Sequence, residues 1–304
     1  MMNVKHVRDH FVQALSDQQF TIDRTGAKTI ELLGASFIAD EPAIFGTPNY
    51  DYIQRELRWY AAQSTNVNDI EGDTPQAWKM TANKHGEINS NYGHLIYSKR
   101  YYKQFQHVVD ELKENPDSRR ASMIYTRPSI WHEYHENGKN DFICTNSVTY
   151  YIRNNKVHCV VQMRSNDVVF GYKNDYAWQQ HVLSAVARHV HRDPGTITWQ
   201  VQNLHVYERH FHLVEEQGED HQDLFRDEIA FIFTPSTVDV NVSIDDITPQ
   251  QWNTAHLHHL QKSMVQNVQE HSEHYYDTER NKPSQGFVGF NGTSYDDFKS
   301  NLGL

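Results

Sequence analysis

The chain has 304 residues, of which 38% are hydrophobic and 12% aromatic. That supports one large core, or a core with a smaller appendage, and it excludes a disordered chain. A net charge of -11 argues against a broad nucleic-acid surface, although a few clustered arginines can still hold one small anion. No stretch approaches the ~18 apolar residues that span a bilayer. The amino terminus carries Lys5, Arg8, Asp9 and His10 with no apolar run, so no signal peptide is expected. Cys144 and Cys159 are the only cysteines; two thiols make no disulfide framework and suit a reducing cytoplasm.

Val4, Val7, Phe11 and Ala14 recur at helical spacing, which predicts a first helix over 4–17. Asp23-Arg24-Thr25-Gly26 reads as a turn leading into a strand over 28–38. A second helix is expected over 48–63, with Ile53, Leu57 and Tyr60 on one face. A third is expected over 101–112, stopped by Asn115-Pro116-Asp117. Strands follow at 122–125, 142–153 and 156–163, the last two joined by Asn154-Asn155 as a hairpin turn. Residues 176–191 read as a helix, 196–201 as β, and 205–214 fit either.

Strands and helices mix without strict alternation, so the class expected is α+β around a large mixed sheet. The boundary expected is a catalytic domain over 1–217 and an extension over 218–304. In the extension, 229–233 and 238–242 read as short strands and 249–276 as a His-rich helix, with a loose tail after 281.

Taken alone, Cys144 reads first as a buried core thiol, and Cys159, among apolar residues 157–161, does so too. Asp117-Ser118-Arg119-Arg120 places two guanidinium groups side by side, and Arg164-Ser165-Asn166-Asp167 adds a third beside a hydroxyl. With Arg24, these would suit a phosphate monoester, because guanidinium forks match its oxygens. Each signal alone reads equally as a solvated turn. Histidines cluster at His205, His210, His212 and at His256, His258, His259, but no cysteine pair or H-E-x-x-H accompanies them, so no metal is expected.

In order and spacing, Asp23-Arg24-Thr25-Gly26, Arg55-Glu56-Leu57-Arg58-Trp59, Trp78, Asn91-Tyr92-Gly93, Asp117-Ser118-Arg119-Arg120, Cys144, Arg164-Ser165-Asn166-Asp167 with Gly171, and His205-Val206-Tyr207 resemble the thymidylate synthase superfamily. Gly86-Glu87-Ile88-Asn89-Ser90, Ile124-Tyr125-Thr126-Arg127-Pro128, Cys144-Thr145-Asn146 and Asn174-Asp175-Tyr176-Ala177-Trp178-Gln179 are similar to one branch of it, the deoxycytidylate 5-hydroxymethyltransferases of T-even-type bacteriophages. The resemblance covers roughly residues 4 to 214.

The resemblance implies a large sheet that packs back to back in a homodimer. It implies that Cys144 attacks C6 of a pyrimidine and that C5 then takes the one-carbon unit of 5,10-methylenetetrahydrofolate. It makes Arg24, Arg164 and Ser165 phosphate ligands on the same subunit, with Arg119 and Arg120 donated by the partner. His205 and Tyr207 hold the sugar, Asn166 binds the substrate, Asp175 reads the base, and Glu56 orders water near the base with Tyr92 in the same network. Trp78, Asp167 and Gly171, with Glu56, fall on the folate side. Nearby arginines would favour the Cys144 thiolate.

Asp175 stands where thymidylate synthases carry an asparagine. An amide matches uracil, whereas a carboxyl matches the acceptor N3 and donor amine of cytosine. A helix cap by Asn174 or Asp175 explains the same residues differently. Ile143 and Thr145 flank Cys144 where synthases usually have Pro and His, which favours the hydroxymethylase branch. The readings left open are a thymidylate synthase, a hydroxymethylase of dUMP or CMP, and a non-catalytic subunit of a nucleotide-supply complex.

Overall fold

The computed structural model describes residues 2–216. The elements expected at 229–233, 238–242 and 249–276, and the boundary at 217, lie outside the described residues or at their limit.

Seven strands form one open mixed sheet: β1 (Met2–Asn3), β2 (Thr21–Ile22), β3 (Lys28–Ile38), β4 (Ser122–Ile124), β5 (Thr145–Arg153), β6 (Lys156–Asp167) and β7 (Asp193–Tyr207). Their order is β1-β3-β7-β6-β5-β4, with β2 paired to β3 beside that path. β6 and β7 are parallel, while β3 and β7, β5 and β6, and β4 and β5 are antiparallel. The helices are α1 (Val4–Ser16), α2 (Tyr50–Ala61), α3 (Gln76–Thr81), α4 (Tyr92–Tyr97), α5 (Gln104–Glu114), α6 (Ile130–Glu133), α7 (Gly171–His189) and α8 (Phe211–Glu215).

The β5–β6 hairpin turns at Asn154 and Asn155, with φ of 50° and 62°. Asparagine tolerates this left-handed region, so the pair suits the two-residue turn whose twist matches the strands. α1 buries Val4, Val7, Phe11 and Ala14, the face its spacing predicts, and Asn3 caps it. The element expected over 176–191 differs most. α7 begins at Gly171 and is buried on every side from Tyr176 to Ala187, including Gln179, Gln180, His181 and Ser184. A helix enclosed all round has no polar stripe to mark its limits. β7 is also longer than its β-rich segment suggested.

The other face of the sheet is partly exposed and polar. On adjacent strands, Ser147 donates to Gln162 at 3.0 Å and Gln162 donates to Gln200 at 3.1 Å. Leu33 and Ile124 are exposed at 70% and 58%, so this side also offers apolar surface to a partner.

Strand direction gathers residues from distant parts of the chain. The carboxyl ends of parallel β6 and β7 lie side by side, with Ser165 opposite Asn203 and Asp167 opposite His205. Their antiparallel neighbours start at that same end, β5 just after Cys144 and β3 just after the turn that carries Arg24.

Candidate active site

Cys144 immediately precedes β5, and the β5–β6 register shifts between Thr145 and Ser147. Such an irregularity re-aims side chains at the rim of a sheet. The Cys144 carbonyl accepts from the Arg164 backbone N–H at 2.9 Å. Arg164 Nη2 lies 3.5 Å from Cys144 Sγ and also donates to the Phe142 carbonyl at 2.6 Å, while Nε donates to the Ile143 carbonyl at 3.1 Å. The guanidinium sits over the Phe142 ring at 4.9 Å. Nη1 makes no hydrogen bond among the described residues, so two N–H donors remain for an anion.

The half-buried Cys144 has its thiol pushed up to about 11. Burial is the largest cause; Arg164 opposes it, and Asp175 and Asp141 add to it. The guanidinium favours the thiolate, as expected of a nearby arginine, but desolvation outweighs it. The free thiol is therefore protonated at neutral pH. Cys159, 1% exposed in the core, is a packing residue, as its apolar neighbours suggested.

Asp175 is the fifth residue of α7, so neither Asn174 nor Asp175 is the cap. The cap position is Phe170. Asp167 braces the turn into the helix: its carboxylate accepts from the backbone N–H of Val169 at 2.8 Å, of Phe170 at 3.2 Å and of Gly171 at 2.8 Å. Of these donors the Gly171 N–H is one that the first turn of a helix leaves unpaired. A Cβ on Gly171 would stand 2.9 Å from Asn166 Nδ2 and 3.4 Å from Asp167 Oδ2, so a larger residue there would push the Asn166 side chain out of place. Asn166, 4% exposed, donates from Nδ2 to Asp175 Oδ2 at 2.8 Å, while its Oδ1 is buried without a partner. The Asp175 carboxyl is held well above the usual carboxylate range, by burial first and by the nearby charge of Glu56 second.

Glu56 is 4% exposed on α2. Its Oε1 accepts from the Tyr52 hydroxyl at 2.5 Å and from Trp78 Nε1 at 3.0 Å. Oε2 receives no donor among the described residues. Burial raises the Glu56 carboxyl, and its two hydrogen bonds counter only part of that rise. Tyr92, 5% exposed, stacks on Tyr60 with ring centroids 5.5 Å apart, and burial together with the charges of Asp175 and Cys144 raises its phenol. A Cβ on Gly93 would lie 1.8 Å from the Tyr60 carbonyl oxygen, so glycine lets α4 lie directly on the backbone of α2. The nucleophile, two high-pKa carboxyls and a phenol thus form one group that can retain and pass protons.

The remaining candidates surround it. His205 Nδ1 donates to Asn203 Oδ1 at 3.1 Å, and burial lowers the pKa of the ring. Tyr207 feels the charges of Asp23, Asp167 and Cys144, and Arg209 lies over its ring at 4.2 Å. Arg24 is exposed and makes no ion pair among the described residues; Ser165 is half-buried, and its hydroxyl makes no hydrogen bond among them. Arg119 and Arg120 are not brought to this group. They are exposed before β4, whose pairing of Ser122 with Thr149 carries them toward the far end of β5, and Arg120 is paired with Glu111 at 2.9 Å. Among the described residues no three metal-ligating side chains gather, and no helix is long and apolar enough to cross a membrane.

Sequence reasoning missed Tyr52 and Asp141. Tyr52 precedes Glu56 by one helical turn, a spacing that could have revealed it. Asp141 contacts residues 51 and 52 positions away, and no local pattern signals that.

The thymidylate synthase family model matches residues 8–265. The chain belongs to the thymidylate synthase family. It is 52% identical to the deoxycytidylate 5-hydroxymethyltransferase of Enterobacteria phage T6 over 230 residues, covering 72% of this chain and 94% of that protein. The enzyme of the same name from Enterobacteria phage T4 is 51% identical over the same shares. A thymidylate synthase of Francisella tularensis subsp. holarctica is 26% identical over 210 residues, 64% of this chain and 77% of that protein. Family membership accounts for the mixed sheet flanked by helices.

Proposed function

We propose that this protein is a deoxycytidylate 5-hydroxymethyltransferase, converting dCMP and 5,10-methylenetetrahydrofolate to 5-hydroxymethyl-dCMP and tetrahydrofolate. The observation that carries this reading is Asp175, a carboxyl that burial and Glu56 hold well above the usual carboxylate range, with Asn166 Oδ1, which has no partner among the described residues, beside it. A neutral carboxyl donates to cytosine N3, and the carboxyl and amide oxygens offer acceptors for the 4-amino group. Relatives bearing this activity in their names, at 51–52% identity, support the same conclusion.

In this reading Cys144 Sγ bonds to C6 and the C5–C6 π pair makes C5 nucleophilic. The folate, when bound, supplies a one-carbon unit at the oxidation level of formaldehyde. C5 gains that carbon and loses its proton, the bond from that carbon to the folate nitrogen breaks so that tetrahydrofolate leaves, water adds to the resulting exocyclic methylene, and the Sγ–C6 bond breaks. Glu56 Oε2, which receives no donor among the described residues, holds the water and relays protons with Tyr92. Trp78 suits the folate side because its indole, pinned by Glu56 and Tyr52 through Nε1, is half-buried and leans on Trp59 at 5.2 Å. Asp167 and Gly171 shape that side as the start of α7.

Arg164 Nη1, Arg24 and Ser165 bind the phosphate, and His205 and Tyr207 the sugar hydroxyl. Arg119 and Arg120 complete the phosphate site from the partner of a homodimer joined through the sheet face. Their distance from their own Cys144 end of β5, and the exposed Leu33 and Ile124, support that arrangement. The protein acts in the cytoplasm on a free nucleotide, and residues 218–304 form an extension beyond the catalytic domain.

Mass analysis of the product from dCMP and methylenetetrahydrofolate tests the reading. A gain of CH2O with release of tetrahydrofolate is expected. A gain of CH2 with dihydrofolate, or turnover of dUMP alone, would overturn it.

A further inference from the structure

The segment before Cys144 is tied to a distant turn by one carboxylate. Asp141 is 5% exposed. Its Oδ2 accepts from the backbone N–H of Asn89 at 2.5 Å and of Ser90 at 2.8 Å, and its Oδ1 accepts from the Ser90 hydroxyl at 2.6 Å. The tie is doubled by the backbone: Asn89 Nδ2 donates to the Asp141 carbonyl at 3.1 Å and to the Glu133 carbonyl at 3.0 Å. Lys139 Nζ closes the same corner by donating to Asn89 Oδ1 at 2.9 Å. Asn89 and Ser90 lead into α4 through Asn91, whose side chain caps the helix, and Tyr92 follows. In the other direction, Asp141 precedes Cys144 by three residues.

We propose that Asp141 is a positioning residue for Cys144, fixing the nucleophile's segment against the turn that launches the helix carrying Tyr92. The inference deepens the proposed function and rests on Cys144 being its nucleophile. A buried carboxylate is costly unless several donors satisfy it. Three donors on one carboxylate, across a sequence separation of about fifty residues, set the distance between two groups of the site rather than a local turn. Its negative charge also faces the thiol and works against the thiolate. The other groups facing Cys144 are Arg164 from β6, Asp175 from α7, Tyr92 from α4 and Tyr207 from β7; Lys139 faces Asp141 itself.

Asp141→Asn separates geometry from charge. An amide oxygen in place of Oδ2 keeps both backbone donors, and the amide nitrogen in place of Oδ1 can donate to Ser90, whose hydroxyl turns to accept. Asp141→Ala removes the tie and the charge together. Each variant is checked by thermal unfolding, by kcat and KM for dCMP, and by the pH midpoint of Cys144 alkylation with iodoacetamide, read as mass added at that residue.

Asp141→Ala is expected to lower kcat on the order of 10–100-fold, with KM for dCMP nearly unchanged. Asp141→Asn is expected to restore most of kcat while moving the alkylation midpoint to lower pH, which loss of a remote packing contact would not do. A folded Asp141→Ala protein with wild-type kcat overturns the proposal, as does an Asp141→Asn protein that is equally impaired or has an unmoved midpoint. If Asp141→Ala does not fold, Ser90→Ala replaces it. That variant loses one of the three bonds, and an unchanged kcat there counts against the proposal. Alkylation needs no substrate, so a failure of the proposed reaction, seen as no product from wild-type protein and dCMP, is read separately.

Discussion

Asn166 donates to Asp175 Oδ2 at 2.8 Å across the junction of β6 and α7. The bond orients the one carboxyl on α7 that stands near both Cys144 and Glu56, and it leaves Asn166 Oδ1 buried without a partner. A base-reading pair built this way depends on the carboxyl staying neutral.

Asp175→Asn replaces the acid with an amide that can donate to O4 and accept from N3–H of uracil. The variant should shift preference from dCMP toward dUMP, by about 10–100-fold in relative kcat/KM for each buried hydrogen bond mismatched. Competition between the two nucleotides, followed by product mass, measures it. Unaltered selectivity would show that another residue reads the base.

Glu56→Gln keeps an acceptor for Tyr52 and Trp78 and removes a buried charge. Burial raises the folded-state value of Glu56 above its ordinary 4.5, so the folded protein holds a proton that the unfolded chain releases. Its contribution to stability is full below that ordinary value and is lost as pH rises through the folded one. The variant should therefore have a higher Tm than wild type at pH 8, with the difference shrinking toward pH 5, while kcat falls by about 10²–10⁴-fold. Melts at the two pH values and steady-state rates check both halves.

Cys144 in the free protein should alkylate slowly at pH 7 and about tenfold faster for each unit of pH up to its value near 11. Peptide mapping after iodoacetamide, with buried Cys159 as an internal control, gives the profile. Cys144→Ala should end turnover yet keep most of the affinity for dCMP, since the phosphate and base contacts remain. Normal turnover in that variant would sink the covalent mechanism.

Gly93→Ala would drive a methyl group into the Tyr60 carbonyl. Because the obstacle is backbone, α4 must move away from α2, at a cost of about 1–3 kcal/mol or more. Tyr92 moves with it, so kcat should fall together with the denaturation midpoint. Unchanged values for both would mean that the helices separate without disturbing the site.

Asp167→Ala leaves the turn into α7, and the Gly171 N–H of its first turn, without their acceptor. A loss on the order of 1–2 kcal/mol in unfolding free energy is expected, with partial recovery in Asp167→Asn. Chemical denaturation reads the change, and a neutral effect would mean that water replaces the carboxylate.

Much of the fold was legible because local patterns carried it. The spacing of Val4, Val7, Phe11 and Ala14 specified α1, and Asn154-Asn155 specified the β5–β6 turn. α7 was read only in part: its start at Gly171 follows a turn braced by Asp167 from the end of β6, and its enclosed surface shows no polar side. The short helices α3 and α4 were not foreseen. α4 exists as a packing unit only because Gly93 allows it to rest on α2.

The amino-acid sequence by itself determined which chemical groups this protein owns and their order: a cysteine among arginines, an aspartate in place of an amide, and the motifs of a family. Tertiary structure alone decided their state. Strand directions bring Cys144, Arg164, Asp167 and His205 to one end of the sheet, and burial lifts the Cys144, Glu56 and Asp175 values together. The physical reason is that desolvation and charge coupling act through space. A residue's type can be read along the chain, but its proton affinity depends on neighbours that arrive only on folding.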